Sequence, residues 1–266
     1  MINGGKHGAG NLDFQEFFII PASRISFKNG LQAGVEIYDA IEANLKRRGA
    51  IHSVGDEGGF APNLFTNADA FEVFVSSVKE TRYSMGFDVF LGLDVAAGSF
   101  FRDNQYLIRD KSAPLNGDTL TDYYRSINDL YHLAVIEDPF AEDAWEDWKK
   151  LTSLFQDLTL VVGDDLLATN PKRVQKAIVE KACSAILVKP NQIGTVSETL
   201  SVITLAREAG WKTIVSHRSG ETNDSFIADF AVGVAADYIK FGAPARGERV
   251  AKYNRLTAIE NELFPS

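Results

Sequence analysis

Six times along this chain a short apolar run delivers an ionisable side chain at its end, and that repetition restricts the possible folds more than any other feature. Val89 to Leu93 ends on Asp94, Ala134 to Ile136 on Glu137, and Leu160 to Gly163 on Asp164. Ala185 to Val188 ends on Lys189, Thr213 to Ser216 on His217, and Tyr238-Ile239 on Lys240. Runs this apolar suit parallel strands covered on both faces. Their spacing, mostly about 20 to 30 residues, leaves room for one helix between consecutive strands. A doubly wound sheet would collect its ligand at one switch point beside a glycine-rich turn after the first strand. Ionisable residues at many strand ends fit a barrel, whose C-terminal strand ends carry the chemistry. The expected fold is α/β, a TIM-like (β/α) barrel forming a single domain over residues 1–266, because no linker or composition shift divides the chain.

The rest of the chain reads consistently with this. Gln15 to Pro21 is an apolar strand stopped by proline, and Leu31, Val35, Tyr38, Ile41 and Leu45 recur at helical spacing up to Gly49. Gly55 to Pro62 is a turn-rich loop, followed by a helix expected over Asn67 to Met85. Asn170-Pro171 supplies a cap and a first-turn proline, and Thr195 to Ala209 forms a helix closed by Gly210. Hydrophobic residues make up 45% of the chain, enough for a full core. The formal charge of -9, with no basic run longer than Lys46-Arg47-Arg48, argues against a nucleic-acid binder, which needs concentrated Lys and Arg. The longest apolar stretch, Phe226 to Ala236, is interrupted by Asp229 and is too short for a membrane span. A single cysteine, Cys183, excludes an internal disulfide framework, reads as a buried spectator and fits a reducing, cytoplasmic setting. Met1 to Gly5 opens on turn glycines with neither a charged leader nor an apolar core, so a signal peptide is not expected.

Asp94, Glu137 and Asp164 stand at three consecutive strand ends. Three converging carboxylates repel one another unless a cation lies among them, and an all-oxygen hard-ligand set suits Mg²⁺. Taken one at a time each is an ordinary turn or surface acid; together at successive strand ends they read as metal ligands. Lys189 and Lys240 share that rim, and cation beside cation disfavours protonation, which prepares a lysine to act as a base. A lysine whose stem lines the rim while its ammonium reaches water is the plainer alternative. The set supports proton abstraction next to a metal-bound carboxylate, with Glu16 and Glu57 as candidate acids. His217-Arg218-Ser219-Gly220-Glu221 offers a ring donor, a guanidinium, a hydroxyl and backbone amides, a combination that fits phosphate. His52 and His132 read as surface or packing residues.

Asn3-Gly4-Gly5 with His7, Gln15-Glu16-Phe17, Gly55 to Gly59, Gly92-Leu93-Asp94, Ile136 to Pro139 and Gly163 to Leu166 run in order along the chain. Lys189 with Asn191 to Gly194, Ser216 to Thr222, and Ile239-Lys240 with Gly242-Ala243-Pro244 continue the series. Through these motifs the sequence resembles the enolase family. The resemblance implies Mg²⁺-dependent dehydration of 2-phosphoglycerate to phosphoenolpyruvate, a glycolytic lyase reaction. It implies Lys189 as the base at C2, Glu57 supported by Glu16 as the acid, and Asp94, Glu137 and Asp164 as ligands of one Mg²⁺. Substrate contacts would come from His7, Gln15, Glu16, Glu137, Asp164 and His217, with Arg218 and Ser219 on the phosphate and Lys240 on the carboxylate.

The family barrel carries an early antiparallel strand, here the one with Glu16. Family members also carry an N-terminal lid domain before the Asn-Gly-Gly motif, and a loop of that domain helps ligate a second Mg²⁺. This sequence is expected to lack the lid, with Met1 near the end of a truncated first strand, and so to supply one metal site. A homodimer or a complementing lid-domain chain are the partners the resemblance suggests. The competing expectation is a non-catalytic barrel that binds metal or a partner. Ala97-Gly98-Ser99, Pro190 and Phe241 depart from the usual family residues and are expected to alter local packing only.

Overall fold

A computed structural model describes residues 1–8, 10–156 and 159–265. In chain order the elements begin β1 (Ile2–Asn3), β2 (Glu16–Pro21), α1 (Phe27–Arg47), α2 (Asn67–Lys79) and β3 (Val89–Asp94). They continue β4 (Phe101–Arg102), β5 (Gln105–Tyr106), α3 (Gly117–Tyr131), β6 (Leu133–Glu137), α4 (Trp145–Phe155), β7 (Leu160–Gly163) and α5 (Pro171–Glu180). The last are β8 (Ala185–Val188), α6 (Pro190–Ile193), α7 (Val196–Glu208), β9 (Lys212–Ser216), α8 (Phe226–Gly233), β10 (Tyr238–Lys240) and α9 (Gly247–Leu263). All six strands read from the sequence are present, each ending at or immediately before its ionisable residue. The chain divides into two compact units, residues 1–93 with 218–230 and 241–266, and residues 94–217 with 231–240.

In the first unit β1 pairs antiparallel with β2, placing Asn3 opposite Glu16 and Ile2 opposite Phe17. This is the early antiparallel strand expected to carry Glu16. α1 starts at Ser26, whose hydroxyl accepts from Asn29 N–H. The Glu260 carboxylate on α9 takes the N–H groups of Phe27 (2.6 Å) and Lys28 (3.0 Å), placing negative charge at the helix N-terminus. α2 is shorter than its periodicity predicts. Glu80 N–H turns back to Ser77 O, and Asp88 captures Ser84 N–H at 2.9 Å, so the segment after Lys79 forms a turn before β3. Apolar periodicity alone continued past the point where these backbone-turn and side-chain bonds replace the helical ones.

In the second unit β6, β7, β8, β9 and β10 pair in sequence and all in parallel. Parallel neighbours bring every strand C-terminus to one edge. The helices between them have the chemistry such crossovers need: Asn170 caps α5 through Lys172 N–H at 2.9 Å, with Pro171 in the first turn, and Thr195 caps α7. Val161, Val162, Ile186, Val188 and Val215 are buried, as strands covered on both faces require. Among the described residues no helix is long and apolar enough to cross a membrane.

Candidate active site

Within the first unit three predicted residues meet. His7 Nδ1 lies 3.3 Å from Glu16 Oε1 and 3.6 Å from Glu57 Oε1. Both carboxylates are buried. Backbone geometry makes this cluster possible. A Cβ on Gly55 would fall 2.3 Å from His7 O, and one on Gly59 would fall 2.5 Å from Asn3 Oδ1, so the Glu57 loop can lie against the Asn3 to His7 turn only as glycine. The loop is held at every carbonyl. Gly55 O accepts from Gly58 N–H (3.1 Å), Asp56 O from Arg249 (2.9 Å), Glu57 O from Ala243 N–H (3.0 Å), and Gly58 O from Tyr38 Oη (2.6 Å). Tyr38 also stacks on Phe60, and burial, reinforced by Glu42 and Asp39, pushes its phenol up to about 12, so it stays a donor. Gln15 is half-buried next to Glu16; Arg218 is half-buried and Ser219 exposed in the same unit.

Within the second unit the strand-end residues form three ion pairs in two groups. Lys240 Nζ sits 2.9 Å from Asp94 Oδ2 and 2.9 Å from each Glu137 oxygen. Lys189 Nζ bonds Asp164 Oδ2, while Gln192 approaches Asp164 Oδ1 at 3.4 Å. Asp94 and Glu137 are almost fully buried, 2% and 1% exposed, so their charges need compensation here. His217 is buried, and its N–H donates to Lys240 O at 3.0 Å, fixing the two strand ends against each other.

Lys240, which the resemblance places on a substrate carboxylate, here contacts the carboxylates of Asp94 and Glu137. Lys189 was expected to be pushed toward neutrality by neighbouring cations. Burial and Lys240 do push its ammonium that way, but the charges of Asp164 and Glu137 and the bond to Asp164 outweigh them and hold Lys189 above the ordinary lysine value. The reason is that two carboxylates, Asp164 at the next strand end and Glu137 one strand further, act on Lys189 against the single nearby ammonium of Lys240.

Other supporting residues escaped sequence reasoning. Asp138, at φ 43°, accepts from Asp164 N–H (3.0 Å) and Asp165 N–H (2.7 Å) and so orients the turn that presents Asp164. Burial first, then the charges of Asp164 and Asp165, drive its carboxyl well above the usual range. Thr169 Oγ1 accepts from Lys189 N–H at 3.0 Å and donates to Gln192 at 2.8 Å. The left-handed conformation of Asp138 has no signature in Glu137-Asp138-Pro139 beyond the tolerance of aspartate for it. Cys183 is buried as expected, and burial raises its thiol. His52 and His132 are exposed; Pro190 opens α6, Phe241 is buried with its ring 6.4 Å from that of Tyr253, and Ala97 N–H bonds Asp138 O.

Two comparisons with known proteins bear on this arrangement. The profile of the family described as "Enolase, C-terminal TIM barrel domain" matches residues 1–265. A curated relative, "Enolase" of Beutenbergia cavernae, is 48% identical over 263 residues, which is 99% of this chain and 61% of that protein. The chain therefore spans about three fifths of the length of that relative.

Proposed function

The chain belongs to the enolase family through its C-terminal TIM barrel domain, and from that premise we propose that it carries the chemistry of a Mg²⁺-dependent lyase converting 2-phosphoglycerate to phosphoenolpyruvate. The observation that carries the reading is the second-unit cluster, in which three carboxylates at successive strand ends, Asp94, Glu137 and Asp164, are buried and each touches a lysine ammonium. Hard oxygen donors that already draw positive charge fit Mg²⁺, with Asp94, Glu137 and Asp164 as the residues that would hold it. Bound there, Mg²⁺ would neutralise the substrate carboxylate and stabilise the negative charge that grows on it as the C2 proton leaves.

The remaining steps belong to the side chains. Lys189 accepts the C2 proton, and the electron pair of the broken C–H bond passes into the substrate carboxylate as an enediolate. Its ammonium must first leave Asp164 and lose its proton, and the adjacent Lys240 charge favours that loss. The enediolate then collapses to form the C2–C3 double bond, the C3–O bond breaks, and Glu57 gives its proton to the departing hydroxyl, which leaves as water. His7, 3.6 Å from Glu57 Oε1 and 3.3 Å from Glu16 Oε1, links the two carboxylates and holds that proton in place. His217 and Gln15 border the substrate, and Arg218 and Ser219 take the phosphate. One Mg²⁺ site comes from these residues, and the corresponding setting is glycolysis and gluconeogenesis in the cytoplasm.

The test is to incubate the chain with Mg²⁺ and 2-phosphoglycerate in heavy water and follow C2 deuteration and phosphoenolpyruvate by NMR. Both are expected, and both should fall at least about a hundredfold in Lys189→Ala, the usual scale of general-base loss. Neither signal from a demonstrably folded chain would overturn the catalytic reading.

A further inference from the structure

Helix α9 buries two cations three residues apart, Arg249 at 0% and Lys252 at 1% exposure. Charged side chains are rarely this buried, and apolar residues of similar volume are often at least as stabilising in such places. Their donors go mostly to backbone carbonyls. Arg249 Nη1 donates to Arg218 O at 2.6 Å, and Nη2 to Ser219 O at 2.6 Å and Asp56 O at 2.9 Å. Lys252 Nζ donates to Thr222 O at 2.9 Å and Glu248 O at 2.8 Å, and pairs with Glu221 Oε2 at 3.0 Å. Glu221 in turn accepts the Arg218 N–H at 3.1 Å through Oε1. The backbone of Arg218 is thus gripped on both sides from one helix, its carbonyl by Arg249 and its N–H by the carboxylate that Lys252 holds.

We propose that Arg249 and Lys252 are positioning residues for anion binding, Arg249 tying the Arg218-Ser219 segment to the Glu57 loop and Lys252 setting the Arg218 peptide through Glu221. The inference rests on the assignment of Arg218 and Ser219 to phosphate. A guanidinium is suited to the first task because its planar fork reaches three carbonyls of two segments at once, and an ammonium is not. The two roles differ geometrically: Arg249 touches both the 55–59 and the 218–222 segments, whereas Lys252 touches only the latter.

The experiment uses the full chain with inorganic phosphate as the probe, reading affinity by calorimetry and backbone opening by hydrogen–deuterium exchange. In Arg249→Lys, exchange should rise about tenfold in both segments together while the body of α1 keeps its protection. Phosphate affinity should fall about tenfold. In Lys252→Met, exchange should rise in 218–222 alone, with a similar loss of phosphate affinity. Unchanged exchange in both variants, or faster exchange with unchanged phosphate affinity, overturns the proposal. If Arg249→Lys does not fold, Lys252→Met still decides, because opening of both segments or of neither contradicts it. A chain without substitutions that fails to bind phosphate would instead defeat the assignment of Arg218 and Ser219, leaving the clamp to be judged by the exchange pattern.

Discussion

Lys240 shows how much depends on single charges. It is the cation shared by Asp94 and Glu137, and taking one partner from a buried ion pair is costly because the other charges stay buried. Lys240→Met should lower stability by about 3 to 5 kcal/mol in metal-free buffer, read from urea denaturation. Asp237 offers a pH test away from the site. Burial alone would raise its carboxyl, but the bonds from Lys212 and from Thr213 N–H and Oγ1–H outweigh it, and the net value lies below 3.8. A depressed native value means stability present above the unfolded carboxylate value and lost as pH falls through the native one. The stability advantage of the chain over Asp237→Asn should therefore be full at pH 6 and shrink below about pH 4, measured as the difference in Tm across a pH series.

At the scale of elements, the Glu57 loop is rigid by construction. Glycine lets it approach His7, and four carbonyl bonds anchor it. Gly55→Ala would place a methyl 2.3 Å from a backbone oxygen that cannot swing away. The expected cost is about 1 to 3 kcal/mol by thermal unfolding, as for overpacking elsewhere, with a larger proportional loss of turnover because His7 and Glu57 are displaced from each other. Helix starts should respond as their caps dictate: Asn170→Ala removes the acceptor for Lys172 N–H and should lower stability by about 1 kcal/mol in the same measurement.

Across the whole molecule the charge of -9 sets what the surface attracts. A fluorescent DNA duplex of random sequence should show no polarisation change with this chain in 0.1 M salt, because there is no excess of cations to release the counterions of phosphate.

The same scale shows what could be read in advance. The strands were legible because buried parallel strands demand unbroken apolar runs, and a charged residue at the end of each is a local pattern. The motifs carrying Glu16, Glu57, Asp94, Glu137, Asp164 and Lys189 were legible for the same reason, as was the family. The end of α2 was not, since the turn that follows Lys79 is held in part by Asp88 through Ser84 N–H, from beyond the periodic segment. Nor were Asp138, Arg249 and Lys252, whose partners outside their own elements lie about 26 to 193 residues away and whose charges look like those of any solvated face. The direction in which its surroundings shift Lys189 was also out of reach, because it depends on which of several opposed charges comes nearest. Sequence by itself determined the elements and the chemical types brought to their ends, since these follow from neighbours along the chain. Tertiary structure alone decided which cation met which carboxylate, because Coulomb energy and hydrogen bonding depend on distance in space.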